Sequence, residues 1–105
     1  MLGNLEQLIL LAILRTGDDA YGVTIAAEIE ARAGRSLTMA TIYKTLERME
    51  EKALVRSTVA DPTPVRGGKG KRYFRLTPSG RKELVAALEA VRRMTPGLNL
   101  GLDPI

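Results

Sequence analysis

Near residue 54 the spacing of apolar residues switches from a helical to a strand-like period, and this switch limits the possible folds more than any other feature of the sequence. Before it, apolar residues recur every three or four positions, which is typical of amphipathic helices. After it come two short segments, 54–60 (LVRSTVA) and 72–77 (RYFRLT), rich in β-branched and aromatic residues. These segments predict two strands that follow a helical region.

Three helices are predicted before the switch. The first, residues 4–15, is apolar on most sides, so we expect a partner subunit to cover part of the face with Leu5 and Leu8. The second spans about residues 22–33 and ends at Gly34, a favourable residue for a helix C-terminus. The third lies within residues 36–55, with Thr38 as a natural N-cap. Its buried stripe is predicted to comprise Ile42, Leu46, Met49 and Ala53.

The rest of the chain completes a recognisable order of elements. The loop D-P-T-P-V-R-G-G-K-G-K has the prolines and glycines of a flexible hairpin connection. A fourth helix is predicted after Thr77, which can cap it, up to about Met94. Helix, helix, helix, strand, loop, strand, helix is the order of a winged helix-turn-helix. We therefore predict a mainly α fold with a small β-hairpin: a winged helix-turn-helix domain at 1–77, a C-terminal dimerisation helix at 78–95 and an irregular tail at 96–105.

Composition excludes several classes of function. The 105 residues contain no histidine and no cysteine, so the commonest general base and the commonest zinc ligands are missing. The adjacent carboxylates at 18–19 and 50–51 have no such partner to tune them. The G-G-K-G-K segment is not a phosphate-binding loop, because Val65 and Arg72 occupy the positions of its first glycine and its hydroxyl. We expect no enzyme, no metal and no cofactor. Without a membrane-length apolar run or a signal peptide, the cytoplasm is the expected location.

Positive charge is concentrated in the middle of the chain. Residues 35–76 hold ten basic and four acidic residues, whereas the whole chain has a net charge of +4. Such a segment is typical of proteins that bind polyanions. In a helix-turn-helix, the N-terminal part of the second motif helix enters the major groove of DNA. The predicted contacts there are Thr38, Ala40, Thr41, Tyr43, Lys44, Thr45 and Arg48, with Thr38 and Tyr43 placed toward phosphates and Thr41, Lys44, Thr45 and Arg48 on the face opposite the core.

Two further surfaces are predicted to bind partners. The hairpin would contact phosphates or the minor groove through a cluster of cations, namely Arg66, Lys69, Lys71 and Arg72. The fourth helix carries an apolar stripe, Leu84, Leu88 and Val91, with little left to cover inside the chain. A second copy would cover this stripe, and a two-fold dimer would present two recognition helices to successive major grooves. A different class of function stays open: a protein-interaction module that keeps this fold.

Several motifs together resemble the PadR family of bacterial transcriptional regulators. They are L-I-L-L-A-I-L, A-Y-G-V-T-I, T-M-A-T-I-Y-K-T-L-E-R-M-E, A-L-V and K-R-Y-F-R-L-T-P-S-G-R-K-E-L, and they span about residues 5–94. The resemblance implies a dimeric repressor, often of detoxification or efflux genes, with its recognition helix at 38–48 and its wing at 59–73. It also implies dimerisation through the C-terminal helix with help from the first helix, and possible release by a small-molecule effector.

The chain departs from the family pattern in three places, one of which is its short C-terminal helix, ending near Met94. Ala53 stands where the family usually has glycine, so the turn into the first strand lacks the left-handed freedom of glycine. Relatives that bind flat aromatic effectors at the dimer interface use tryptophan, and this chain has none.

Overall fold

The structure, a computed structural model, describes residues 2–60 and 70–101 as four α-helices and a two-stranded antiparallel hairpin. The helices are α1 (Asn4–Thr16), α2 (Gly22–Ala33), α3 (Met39–Glu51) and α4 (Pro78–Met94), and a 3-10 turn (Gly17–Asp19) follows α1. Strands β1 (Val55–Val59) and β2 (Arg72–Leu76) pair with Val55 opposite Leu76. This architecture confirms the predicted winged-helix fold. Within these residues no helix is both long and apolar enough to cross a membrane.

One core joins the three N-terminal helices to the hairpin. Its fully buried side chains come from each helix of the motif and from the first strand: Ile9, Leu10, Ile25, Ile42, Leu46, Met49 and Val55. Burial of such a set is the main favourable contribution to folding in a domain of this size. The backbone of β2 also bonds to the segment before α2: the Phe74 N–H donates to the Ala20 carbonyl at 2.8 Å. The hairpin is thereby held against the start of α2.

The turn between α3 and β1 is tighter than the sequence pattern predicts. The helix ends at Glu51, and Ala53 is exposed outside the helix, so its predicted place in the buried stripe is wrong. Ala53 has φ 59°, the left-handed region that glycine favours. The turn therefore forms with alanine in a strained conformation.

The first half of α4 packs on the winged-helix core. Thr77 caps this helix by accepting from the Gly80 N–H at 2.9 Å, and its hydroxyl donates to the Ala53 carbonyl at 2.7 Å. Gly80 is buried against the Leu54 carbonyl, where a Cβ atom would overlap that oxygen. From about residue 88 onward the helix leaves the core, and its apolar residues become exposed.

Candidate nucleic-acid interface

Two threonines, Thr38 and Thr41, form the cap at the N-terminus of α3. The Thr38 hydroxyl oxygen accepts from the Thr41 N–H at 3.1 Å and donates to the Thr41 hydroxyl at 2.9 Å. Thr38 is therefore the N-cap, as predicted. Thr41 is half-buried. Its hydroxyl is bonded to Thr38, so the side chain points toward the cap and away from the centre of the exposed face.

The exposed face of α3 is rotated relative to the prediction. Ala40, Tyr43, Lys44 and Arg48 are exposed, as predicted, and Glu47 joins them. Thr45, in contrast to the prediction, does not lie on this face. It is only 2% exposed, and its hydroxyl donates to the Thr41 carbonyl at 2.8 Å. At 100° per residue, position 45 lies closer to the buried stripe than to its opposite side. Thr45 is thus a core residue and is unavailable to a ligand in the groove.

Tyr43 connects this face to the start of α2. A Cβ atom added to Gly22 would lie 2.5 Å from the Tyr43 hydroxyl oxygen and 2.7 Å from Met39 Cε. Only glycine lets the first turn of α2 lie this close to α3. Tyr43 remains 44% exposed, so its ring contacts the start of α2 and also faces solvent.

Aromatic rings contact the base of the wing. The wing is the hairpin β1–β2 with its connecting loop. The Lys71 ammonium lies 4.5 Å from the centroid of the Tyr21 ring and donates to the Tyr21 hydroxyl at 3.4 Å. This hydrogen bond raises the pKa of Lys71 above its usual value, so the side chain is cationic at neutral pH. Tyr21 also packs edge-on against Tyr73, with ring centroids 5.5 Å apart. Lys71 is therefore positioned by the residue that precedes α2.

Arg72 is fixed by a second set of contacts. Its Nη1 donates to the Ser57 hydroxyl at 2.7 Å, and that hydroxyl donates to Glu50 Oε2, also at 2.7 Å. Glu50 is half-buried, and its contacts with Ser57 join α3 to β1. A groove between α3 and β2 is lined in part by Tyr43, Glu47 and Arg72.

The remaining predicted site residues differ in their exposure, and two of them lie outside the described part of the chain. Arg66 and Lys69 lie outside the residues that the structure describes. Of the predicted dimer residues, Leu5 and Leu8 are half-buried, and Leu88 and Val91 are exposed. Leu84 is 3% exposed and packs in the core of its own chain, so its assignment to the dimer interface is wrong.

Sequence reasoning missed the aromatic cluster and the contacts of Glu50. The A-Y-G segment that opens α2 was a usable signal, because a tyrosine followed by glycine at a helix start favours close approach by a neighbouring element. Nothing in the local sequence indicates that Glu50 meets Ser57, since that contact depends on how β1 returns along α3.

Comparisons with known proteins agree with this geometry. The family model of the transcriptional regulator PadR-like family matches residues 10–86. A curated relative from Lysinibacillus sphaericus, described only as an uncharacterized protein, is 34% identical over 106 residues, covering 96% of this chain and 93% of its own.

Solved structures of other proteins share this fold. A PadR family transcription regulator from Clostridium difficile R20291 superposes with a TM-score of 0.72 at 30% identity, covering 88% of this chain and 91% of its own. Bacillus subtilis PadR, solved in complex with operator DNA, has a TM-score of 0.66 at 26% identity over 81% of this chain and 46% of its own. With the family model matching most of its length, the chain belongs to the PadR-like family of transcriptional regulators.

Proposed function

We propose that the protein is a transcriptional repressor that binds a palindromic operator as a homodimer, with α3 in the major groove and the hairpin on the adjacent backbone. One observation carries this proposal: the base of the wing and the exposed edge of α3 meet at the start of α2. Tyr21 holds Lys71, and Gly22 contacts Tyr43. The wing cation Lys71 and the exposed face of α3 thus both adjoin the start of α2, which favours DNA binding by a winged helix.

The exposed face of α3 has suitable chemistry for a groove. Lys44 and Arg48 can donate to guanine edges or phosphates, and Ala40 is small enough for close approach. Glu47 could accept from the amino group of cytosine and would repel phosphate. We therefore assign base contacts to Lys44, Glu47 and Arg48. Tyr43 and the wing cations Lys71 and Arg72 are assigned to the backbone.

The second half of α4 supports the homodimer. Its exposed apolar side chains, Leu88, Val91 and Met94, form a strip that a soluble monomer rarely exposes. An apolar groove of about 310 Å³ between α1 and α2, lined in part by Leu8, Leu11 and Ile29, offers a complementary surface. We propose that α4 of one copy covers α1 of the other, which would place two α3 helices about one DNA turn apart.

Mobility shift on the intergenic DNA next to its gene tests the DNA-binding proposal. The Lys44→Ala/Arg48→Ala variant should lose specific binding. Lys82→Ala/Arg93→Ala on α4 removes the same charge and should retain it. Absence of any shift at low salt, or equal losses in both variants, would count against the proposal.

Sedimentation tests the dimer separately. Leu88→Asp/Val91→Asp places charges in the exposed strip and should yield a folded monomer, whereas Ala86→Asp/Ala90→Asp at other exposed positions of α4 should remain dimeric. A dimeric Leu88→Asp/Val91→Asp variant would overturn the proposed interface. A wild-type monomer that retains a partner protein after nuclease treatment would favour an interaction module.

A further inference from the structure

The hairpin has an outer face whose residues are mostly separate from the proposed operator surface. Phe74 is buried in the core, so Tyr73 and Arg75, its neighbours on β2, lie on the opposite side of the sheet. Their partners across the hairpin are Thr58 and Arg56 of β1. Together with the residue that precedes β2, we call this set the outer strip: Arg56, Thr58, Lys71, Tyr73 and Arg75.

Lys71 continues the outer face beyond the start of β2. The pairing of the strands extends to it, since the Ala60 N–H donates to the Lys71 carbonyl at 2.9 Å. Its ammonium lies over the Tyr21 ring, which packs edge-on against Tyr73, so these side chains share one side of the hairpin. Alternate residues of a strand are about 7 Å apart. Lys71, Tyr73 and Arg75 therefore form an evenly spaced row of cation, aromatic ring and cation.

The cations of the outer strip lack acidic partners in the described part of the chain. None of Arg56, Lys71 and Arg75 forms an ion pair there. Arg56 and Arg75 also lie directly opposite each other, and like charges at such positions destabilise a hairpin. A ligand with several negative charges in a row would offset this repulsion.

The combination of cations with an aromatic ring favours a single nucleic-acid strand as this ligand. Proteins that bind single strands combine cations that follow the backbone with aromatic rings on which bases stack. A depression between the hairpin, the end of α1 and the first turn of α4 leaves room beside Tyr73 for an unpaired base. The bases of a duplex are stacked on one another and do not reach such a ring. An acidic peptide would pair with the arginines but has no base to stack on Tyr73.

We propose that the outer strip binds single-stranded nucleic acid, with a base stacked on Tyr73 and the flanking phosphates at Lys71 and Arg75. Arg56 adds a further phosphate contact from β1. Asp18, on the side of the depression formed by the 3-10 turn, would repel phosphate and keep the backbone on the hairpin. This activity goes beyond the proposed operator binding, because it uses no residue of α3.

Fluorescence anisotropy with a labelled oligothymidylate of about 12 nucleotides tests the site, because this length lies within the range of known single-strand sites. An abasic strand of the same length and charge is the matched control. The wild type should bind the oligothymidylate at least about fivefold more tightly than the abasic strand, as expected for one stacked base. Equal binding of the two strands, or no binding at low salt, would overturn the proposal.

Two variants of Tyr73 separate stacking from charge. Tyr73→Phe keeps the ring and should bind the oligothymidylate like the wild type. Tyr73→Leu removes the ring, so it should bind the oligothymidylate at least about fivefold more weakly and the abasic strand unchanged. Amide resonance dispersion shows whether each variant is folded. If folded Tyr73→Leu weakens both strands equally, or neither, the ring does not stack on a base and the proposal is wrong.

Arg56→Gln/Arg75→Gln tests the phosphate contacts at two exposed positions, independently of whether Tyr73→Leu folds. Each phosphate contact on a single strand contributes about 0.7 to the slope of log K against log salt, so this variant should lose about 1.4. Lys82→Gln/Arg93→Gln on α4 removes the same charge and should leave the slope unchanged. Equal slopes in the two variants would exclude the arginines. Tighter binding of polyglutamate than of oligothymidylate would indicate an acidic protein partner and reject the strand.

The operator assay separates this activity from the proposed function. Lys44→Ala/Arg48→Ala should lose specific operator binding and retain oligothymidylate binding. A wild type that binds the oligothymidylate but no operator would keep the outer strip and reject the repressor, and the reverse result would reject the outer strip alone. If Arg56→Gln/Arg75→Gln lowers operator affinity and leaves oligothymidylate binding intact, the two arginines contact the duplex and the single-strand site is wrong.

Discussion

The Glu50 carboxylate accepts two hydrogen bonds from Ser57, one from the backbone N–H at 3.2 Å and one from the hydroxyl at 2.7 Å. Ser57 in turn accepts from Arg72. These contacts join the end of α3 to both strands of the hairpin. The Glu50 carboxylate therefore helps to set the orientation of the wing relative to the proposed recognition helix.

Glu50→Ala should lower the free energy of unfolding by about 1–3 kcal/mol, because it leaves partly buried donors without their acceptor. Urea denaturation followed by circular dichroism measures this change. Glu51→Ala removes the same charge from the adjacent exposed residue and should stay within about 0.5 kcal/mol of the wild type. Equal destabilisation of the two variants would show that charge, not the contact with Ser57, is responsible.

Gly22→Ala should destabilise the protein by about 1–3 kcal/mol, because its Cβ would overlap the Tyr43 ring, which must then shift from the start of α2. Thermal unfolding of the single variants and of Gly22→Ala/Tyr43→Ala forms a double-mutant cycle. The double variant should be less destabilised than the sum of the single ones. Strict additivity would mean that the two residues do not press on each other.

Ala53→Gly should stabilise the protein by about 1 kcal/mol, since glycine adopts a positive φ without the steric cost that alanine bears. Chemical denaturation of this variant is best compared with Ala27→Gly, an exposed position inside α2. That change should destabilise by about 1 kcal/mol, because glycine lowers helix propensity. A destabilised Ala53→Gly would show that the turn is not strained by its alanine.

Spacing alone predicted the fold because each element of this chain carries its own local signal. The period of three to four residues marked the helices, threonines marked the starts of α3 and α4, and the change near residue 54 marked the hairpin. These features depend on neighbours in sequence and are therefore readable from it. Ala53 was placed wrongly in the buried stripe, and only the family resemblance, in which glycine usually stands at this position, indicated an unusual turn there.

The site was less predictable because it depends on contacts between distant segments. Thr45 was misassigned because the predicted stripe of Ile42, Leu46, Met49 and Ala53 marks the centre of the buried face and not its edges. Leu84 was assigned to a partner because the docking of α4 against the core was not visible in the spacing. The Tyr21–Lys71 contact joins residues 50 positions apart, and no local pattern encodes it.

Thr45→Val should leave operator affinity within about twofold of the wild type, because the side chain is buried and valine loses only the hydrogen bond to the Thr41 carbonyl. Lys44→Ala, one residue away on the exposed face, should weaken operator binding by about tenfold or more if it reads a base. Fluorescence anisotropy with labelled operator measures both. A large loss of affinity in a fully folded Thr45→Val variant would restore Thr45 to the DNA-binding surface.

Lys71→Ala should reduce the salt dependence of DNA binding by about one unit in the slope of log K against log salt, as expected for one lost phosphate contact. Because the pKa of Lys71 is raised above its usual value, its side chain stays protonated at pH 9, so the slope should be the same at pH 7 and pH 9. Lys82→Ala removes one charge from α4 and should leave the slope unchanged. Anisotropy titrations between 50 and 200 mM salt, roughly the range over which phosphate contacts are most evident, supply the slopes. If Lys71→Ala changes affinity by the same factor at every salt concentration, its ammonium supports Tyr21 and does not contact the DNA backbone.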